Sequence, residues 1–230
     1  MRRLAPIALA LLFAAAQATA ASPVTRRFPL TGFQQVSLGS SDDVQVQVGP
    51  AFSVTASGPA DAVGVLAIAV SGDTLRITRE GRMDGDDDGV TVTVTLPVLT
   101  GASVSGSGDM TVAPFRTARF SGAVGGSGDL RLTRVDAVRI DLSVAGSGDL
   151  TATGRASAAN LSVTGPGDLD AGELNANNVS ASVAGSGDLS ARAVQTASAS
   201  IAGSGDITIH GPARCTISKA GSGDVHCNAG

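Results

Sequence analysis

The sequence is dominated by a tetrapeptide that recurs at nearly constant spacing between residues 106 and 224. Six copies read Gly-Ser-Gly-Asp, and the fourth of the seven is the variant Gly165-Pro166-Gly167-Asp168. The aspartates that end the tetrapeptides are Asp109, Asp129, Asp149, Asp168, Asp188, Asp206 and Asp224. Their successive spacings are 20, 20, 19, 20, 18 and 18 residues. A period of this size predicts a solenoid, in which each repeat is one structural unit stacked on the previous one.

Apolar residues alternate with polar ones on both sides of each tetrapeptide. One residue after the aspartate stand Met110, Leu130, Leu150, Leu169, Leu189, Ile207 and Val225. Five residues before it stand Val104, Val124, Val144, Val163, Val183 and Ile201, with Lys219 in the last repeat. Because alternation is typical of strands with one buried face, we expect a strand, a glycine-rich corner and a second strand in each of about seven rungs. Six residues after the aspartate, Phe115, Val135, Leu174 and Val194 predict a third wall.

The corner aspartates have two interpretations. Asp and Ser side chains stabilise turns by hydrogen bonding to nearby backbone N–H groups, and glycine permits positive φ and close backbone approach. We therefore expect these aspartates to be structural, with no metal. The alternative is a ladder of carboxylates that binds cations, because stacked aspartates about 4.8 Å apart would repel one another. The repeat does not match the nine-residue calcium-binding period.

The start of the chain predicts export. Arg2 and Arg3 precede an apolar run from Leu4 to Ala16, and Ala18-Thr19-Ala20 is a small-x-small cleavage site. Residues 1–20 are therefore interpreted as a signal peptide, and the apolar run is too short to span a membrane. The expected location of the mature protein is the periplasm, the cell surface or the medium, and no transmembrane segment is expected after cleavage.

Residues 21–100 have no tetrapeptide but contain clear alternation, as in Val44-Gln45-Val46-Gln47-Val48. We interpret them as an antiparallel β segment, with a short helix from Ala60 to Leu66, that caps the repeats of residues 101–230. A solenoid needs such a cap because its open end exposes unpaired backbone and apolar core. The two parts are expected to form one continuous structural unit from 21 to 230.

An acidic loop in this segment resembles half of a calcium site. Asp84, Asp86 and Asp88 match the opening Asp-x-Asp-x-Asp-Gly of a calcium loop, but Thr95 stands where the bidentate glutamate is expected. We interpret the loop as a solvated hairpin, with a weak cation site as the alternative.

Cys215 and Cys227 are the two cysteines of the chain, and both fall on inward positions of the last repeat. Export permits a disulfide between them. Such a bond would fasten the end of the stack, stabilising it by roughly 3 kcal/mol for so short a loop. Two buried free thiols are the alternative.

Composition argues weakly against nucleic acid or an anionic membrane as a partner. Removing Arg2 and Arg3 from the 16 basic residues leaves 14 against 20 acidic ones, a charge of about −6. This charge and the lack of Trp and Tyr argue against nucleic acid as a partner. No nucleophile with a histidine partner, phosphate loop or other cofactor motif can be assembled, and His210 and His226 are expected to face solvent.

Taken together, an opening with Phe28 and Phe33, alternating strands, Leu96-Pro97 and the repeated tetrapeptide resemble the putative auto-transporter adhesin, head GIN domain family. The resemblance runs from about Phe28 to Val225. It implies a right-handed parallel β-helix in an exported bacterial protein and supplies no catalytic residues. Pro166 departs from the repeated corner, since proline removes one backbone donor.

The expected function is that of an exported, non-enzymatic scaffold that binds an unknown protein or glycan of the cell envelope, with homo-oligomers as a further option. The alternative is a lyase or hydrolase acting on polysaccharides, which rests on fold analogy alone. Six residues before each aspartate, a small polar row is predicted to face outwards: Ser103, Ala123, Ser143, Ser162, Ser182, Ser200 and Ser218. The row could be plain solvent-facing strand surface or could lie flat against a partner.

Overall fold

The computed structural model describes residues 23–81 and 89–228. The N-terminal strands are β1 (Val24–Phe28), β2 (Gln35–Leu38), β3 (Asp43–Val48), β4 (Ser53–Gly58), β5 (Leu66–Ser71), β6 (Thr74–Arg79) and β7 (Thr91–Leu96), and the helix is α1 (Ala60–Gly64). The strands of the repeats are β8 (Gly101–Val104), β9 (Met110–Val112), β10 (Phe115–Val124), β11 (Leu130–Val144), β12 (Leu150–Val163), β13 (Leu169–Val183), β14 (Leu189–Gly203), β15 (Ile207–His210), β16 (Arg214–Gly221) and β17 (Val225–Asn228).

Strands of successive repeats pair in parallel, so equivalent residues lie side by side. Val144, for example, lies opposite both Val124 and Val163. The two predicted inward rows are confirmed, because up to Ile201 and Ile207 every member is at most 1 % exposed. Burying one Val or Leu side chain stabilises the fold by roughly 1.5–3 kcal/mol, so these rows are the main source of stability of the stack.

The β-solenoid has about six turns, where the sequence predicts about seven rungs. The seven corner aspartates bound six intervals. Within the described residues, the last corner is followed by β17 alone, which closes no further turn.

The N-terminal segment is expected from the sequence to be antiparallel, and it contains the antiparallel pairs β1–β4, β4–β7 and β5–β6. It also contains parallel pairs that the sequence pattern does not predict, since strands alternate in the same way in both kinds of sheet. β2 pairs in parallel with β6 and β8, and β3 with β7 and β9. β2 and β3 therefore form a rung that extends the stack, and the sheet runs across the proposed boundary at residues 100 and 101. In α1, Ala62 and Val63 are buried in the same core.

The third wall is only partly as predicted. Phe115, Val135 and Leu174 are buried, whereas Val194 is 44 % exposed and its chain neighbour Ala193 is buried. The register between β13 and β14 shifts in this wall, where the repeat shortens. Counting a fixed six residues from the aspartate therefore fails there.

Candidate binding surfaces

The backbones of successive corners lie too close together for side chains. A Cβ atom added at Gly126 would lie 2.0 Å from the carbonyl oxygen of Gly106, and the same collision recurs at Gly128 with Gly108. Among the glycines of the seven corners, Gly221 has a positive φ, 132°. Glycine is therefore required at the corners mainly by the close approach of stacked backbones.

The corner aspartates form a head-to-tail ladder of hydrogen bonds. The backbone N–H of each aspartate donates to Oδ1 of the aspartate one rung earlier, at 2.7–2.9 Å from Asp129 to Asp224. The ladder passes through the Pro166 corner, since Asp168 N lies 2.9 Å from Asp149 Oδ1. Each carboxylate except the last thus accepts a hydrogen bond from a backbone N–H, which is the turn chemistry predicted for the motif.

The ladder ends differently at its two extremes. At the first rung, Asp109 N lies 3.4 Å from Oδ1 of Asp43. At the last rung, Asp224 Oδ1 accepts a hydrogen bond from Lys219 Nζ at 2.6 Å. That hydrogen bond and the charge of Lys219 lower the pKa of Asp224 below its ordinary value. The last carboxylate is thus paired by a cation, where the others are paired by a backbone N–H.

The corners also border a hollow of about 300 Å³. Its lining includes Asp168, Asp188, Asp206, Asp170 and His226. Within residues 23–81 and 89–228, no three His, Cys, Asp or Glu side chains are arranged to hold a metal ion. The metal-free interpretation of the corners stays a prediction. Asp84, Asp86 and Asp88 lie outside the described residues, as do the signal peptide and its cleavage site.

A buried ion pair, which the sequence pattern does not predict, lies at the N-terminal end of the stacked corners, here called the corner column. Asp42 precedes Asp43 in the chain and lies one rung before Gly108, against which its backbone packs. Its side chain is 0 % exposed. Arg79 binds both of its oxygens, with Nε to Oδ2 at 3.0 Å and Nη2 to Oδ1 at 2.5 Å. Such a bidentate pair is strong and directional. The available signal was Leu38-Gly39-Ser40-Ser41-Asp42-Asp43-Val44, a degenerate copy of the corner.

The C-terminal end is tied covalently. The Sγ atoms of Cys215 and Cys227 lie 2.23 Å apart, so the predicted cysteine pair is present at disulfide distance. β16 pairs with β14, and β17 with β15, and in the described part of the chain nothing stacks on their outer side. Consequently Lys219 is exposed, and Ile217 is 48 % exposed.

The predicted serine row forms a continuous strip, here called the Ser face: Ser103, Ala123, Ser143, Ser162, Ser182, Ser200 and Ser218. The register places each member opposite the next. All seven are half-buried or exposed, and none is charged. The strip therefore runs along the solenoid axis as a flat, polar surface. Its small side chains allow a partner to approach closely.

A charged group lies two residues before the Ser face. Asp141 accepts hydrogen bonds from Asn160 Nδ2 and from Arg139 Nε, the latter at 3.1 Å. Burial alone would raise the pKa of Asp141. The hydrogen bonds from Asn160 and Arg139, with the charges of Arg139 and Arg119, lower it below its ordinary value. This carboxylate is therefore held ionised beside the strip.

A groove of about 890 Å³ lies in the third wall and is here called the third-wall groove. Its lining includes Arg116, Arg134, Arg155, Asp136, Asn175 and Val194. One row of this wall holds polar residues that lie side by side on successive rungs: Arg116, Asp136, Arg155 and Asn175. The neighbouring inward row contains Ala137, Ala156, Ala176 and Ala193, all buried. Small inward side chains let this wall lie close to the core, which makes the surface concave.

Arg134 has an unusual backbone in this groove. Its φ of 51° makes it the one non-glycine residue with positive φ in the described chain. The conformation is stabilised by a hydrogen bond from its N–H to Thr153 Oγ1 at 2.9 Å, next to a register shift in β11. The groove is not predicted from the sequence, although Arg155 interrupts the apolar row that stands six residues after each corner aspartate.

Comparison with known proteins identifies the family. The family model described as "Putative auto-transporter adhesin, head GIN domain" matches residues 32–213. The chain belongs to this family. The family resemblance predicted from the sequence is therefore confirmed. No curated protein matches the chain.

Solved structures show the same architecture as this head GIN domain protein. A putative adhesin from Bacteroides fragilis is 25% identical, covers 90% of this chain and 97% of its own, and has a TM-score of 0.84. A putative lipid binding protein from Parabacteroides distasonis (22% identical) and a putative adhesin from Parabacteroides merdae (16% identical) have the same coverages and a TM-score of 0.72. The latter two show the fold alone.

No helix in the described residues is long and apolar enough to cross a bilayer.

Proposed function

We propose that the protein is an exported, non-enzymatic binding module of adhesin type, and that the Ser face is its working surface. Membership of an adhesin-named family supports the general class. The choice of the Ser face as the binding surface rests on one observation: its uncharged side chains lie in continuous register on successive rungs. Small side chains on a parallel sheet allow a partner to approach the backbone closely over several rungs.

The geometry of the Ser face favours adhesion over chemistry. Catalysis needs clustered acids, bases and positioning groups around a pocket. The Ser face instead repeats one small hydroxyl side chain from Ser143 to Ser218, with Asp141 and Arg139 paired at its side. A polysaccharide-cleaving activity, the alternative function, gains no support from this arrangement.

Export is part of the proposal. The family name and the cysteine pair at disulfide distance support it, because disulfides persist in oxidising compartments. Cleavage after Ala20 would then leave the unit of residues 21–230, with residues 21–100 as cap and 101–230 as repeats. The expected place of action is the periplasm or the cell surface.

The proposed partner is a protein or glycan of the cell envelope, or a second copy of the chain. A flat sheet without an apolar patch fits a polar partner. One structural relative is named a putative lipid binding protein, so lipid vesicles belong among the probes.

The test places charge on the Ser face without touching the core. We expect the triple variant Ser143→Lys, Ser162→Lys, Ser182→Lys to fold and to lose binding to an envelope fraction, since three charges must then be desolvated in the contact. The matched control is Thr151→Lys, Ser190→Lys, Thr208→Lys on the outward row after the corners, which adds the same charge elsewhere.

Unchanged envelope binding by the folded Ser-face variant would eliminate this surface. Equal loss in the control would show that added charge, and not its position, is responsible. Hydrolysis or eliminative cleavage of a polysaccharide by the parent protein would overturn the non-enzymatic assignment.

A further inference from the structure

We propose that the third-wall groove is a second binding site and that its ligand is an acidic polysaccharide lying along the solenoid axis. The inference does not depend on the Ser face, which lies on a different wall and carries no charge. It rests on the charge of the groove, the spacing of its arginines and the backbone of Arg134.

The groove is a basic surface on an acidic protein. Arg116, Arg134 and Arg155 line it together with a single acid, Asp136. Asp136 pairs with Arg116 at 3.2 Å, which leaves the charges of Arg134 and Arg155 in excess. The chain as a whole carries a net charge of −4. A concave site whose charge opposes that of its surroundings selects a ligand of the opposite sign, here an anion.

The arginines are spaced for a polymer. Arg116, Asp136 and Arg155 occupy the same outward position on three successive rungs. Arg116 and Arg155 are therefore separated by two strand spacings, about 9.6 Å. A linear chain of sugars with a carboxylate at regular intervals could place two carboxylates on the guanidinium groups of Arg116 and Arg155, with the rung of Asp136 between them. Guanidinium groups bind carboxylates through two parallel hydrogen bonds, which favours this anion over a diffuse charge.

The other lining residues suit sugar hydroxyl groups. Ser157, Asn175 and Asn177 offer donors and acceptors next to the arginines. Val48 and Val194, 37 % and 44 % exposed, offer apolar contact for ring faces. The aromatic residue of the groove, Phe115, is only 5 % exposed and provides no platform for stacking bases. A concave polar groove also fits a membrane surface poorly.

The backbone of Arg134 supports a functional role. Glycine adopts the positive φ that such a β-bulge requires without strain, whereas any other residue is disfavoured there. Backbone strain concentrates at functional sites, where the surrounding structure over-determines it. In this chain the residue with the disfavoured backbone conformation is an arginine, and its side chain lines the groove.

The experiment uses the mature chain and polygalacturonate, a homopolymer of carboxylated sugars, in titration calorimetry. We expect the parent to bind polygalacturonate but not dextran, its neutral comparison. The variant Arg116→Gln, Arg134→Gly, Arg155→Gln should bind about tenfold more weakly or worse, with a reduced dependence on salt, because charge-assisted contacts are lost. Arg134→Gly keeps the required backbone conformation. The control Arg27→Gln, Arg131→Gln, Arg214→Gln changes the charge equally at exposed positions outside the groove and should bind as the parent does.

Three results would overturn the site. These are no binding of polygalacturonate by the parent, equal loss in groove and control variants, and tighter binding to phosphatidylglycerol vesicles than to the polysaccharide. If the triple variant fails to fold, the exposed single substitution Arg155→Gln decides, with a weaker affinity expected and an unchanged affinity contradicting the proposal. Envelope binding that persists without polygalacturonate binding would refute the groove and leave the Ser-face proposal standing.

Discussion

The two ends of the solenoid are finished by different means. At the N-terminal end, antiparallel strands, α1 and the buried Asp42–Arg79 pair cover the first rung. At the C-terminal end, the last described rung is exposed and is held by the cysteine pair and by the contact between Lys219 and Asp224. The first end is thus stabilised by burial and the second by cross-linking. A stack can leave the apolar core of one end uncovered when that end is tied firmly enough to resist fraying.

The largest effect should come from the N-terminal end. Arg79→Leu leaves the carboxylate of Asp42 buried without its arginine, and we expect a loss of about 3–5 kcal/mol in the free energy of unfolding. Urea denaturation measures it, with Arg76→Leu on the exposed face of β6 as the matched control. The double variant Asp42→Gly, Arg79→Leu should recover part of the loss, because it removes the stranded charge and restores the glycine of the repeat. A loss no larger than that of Arg76→Leu would contradict the role of the pair.

The next effect should come from the C-terminal end. Replacing Cys215 and Cys227 by serine should cost up to about 3 kcal/mol. Because repeats contact only their neighbours, we expect the loss as faster hydrogen exchange in β16 and β17, with β2 and β3 unchanged. Uniformly faster exchange would show that both ends unfold together. Two free thiols in denatured, unreduced parent protein would rule out the bond.

Glycine substitutions compare the interior of the corner column with its open end. Gly146→Ala forces a Cβ atom to about 2.0 Å from the carbonyl oxygen of Gly126. We expect it to cost about 1–3 kcal/mol, as overpacking does. Gly223→Ala meets Gly205 just as closely, but the last rung can move outwards, so its cost should be smaller. Thermal unfolding measures both, and equal costs would mean that the open end is as rigid as the interior.

A smaller effect concerns pH. The pKa of Asp141 is lowered in the folded protein from its ordinary 3.8, so its ion stabilises the fold above about pH 3.8 and this contribution is lost as the pH falls through the folded value. Asp141→Asn should therefore flatten the acid limb of the stability curve slightly, since the group is partly exposed. Asp224→Asn is the comparison at the open end, where the pKa is also lowered. An acid limb unchanged by both variants would contradict this account.

No effect is expected from metal removal. The corner carboxylates accept backbone hydrogen bonds, which relieves their mutual repulsion. Adding a chelator should therefore leave the melting temperature unchanged, and calcium should not raise it. A drop of many degrees that calcium restores would show that the ladder binds cations.

The buried rows of the stack could be predicted because they depend on local alternation. Val144 and Leu150 point inwards for the same reason as their equivalents in the other repeats. The same alternating pattern therefore supports the prediction several times. The third wall is predicted less well, because Val194 lies within a repeat shortened to 18 residues and the register shifts there. Alternation carries no information on such shifts.

The ends and the groove could not be predicted for another reason. Asp42 and Arg79 are 37 residues apart, and only the return of the chain through β6 brings them together. The groove depends on how deeply the Ala137 and Ala156 row lets the wall approach the core, which is a property of packing. The Ser face, in contrast, followed directly from counting back from each aspartate.

The aspartate ladder has a consequence for how such chains can grow. Each corner makes its hydrogen bonds with the corner before it, so an inserted copy of one repeat would find the same acceptor below and offer the same acceptor above. Duplication of a segment such as residues 130–149 should lengthen the protein by about 4.8 Å while leaving its cross-section and both ends unchanged. Length is therefore a heritable variable that genes encoding this architecture can alter by whole units, and every added unit would extend the Ser face by one step.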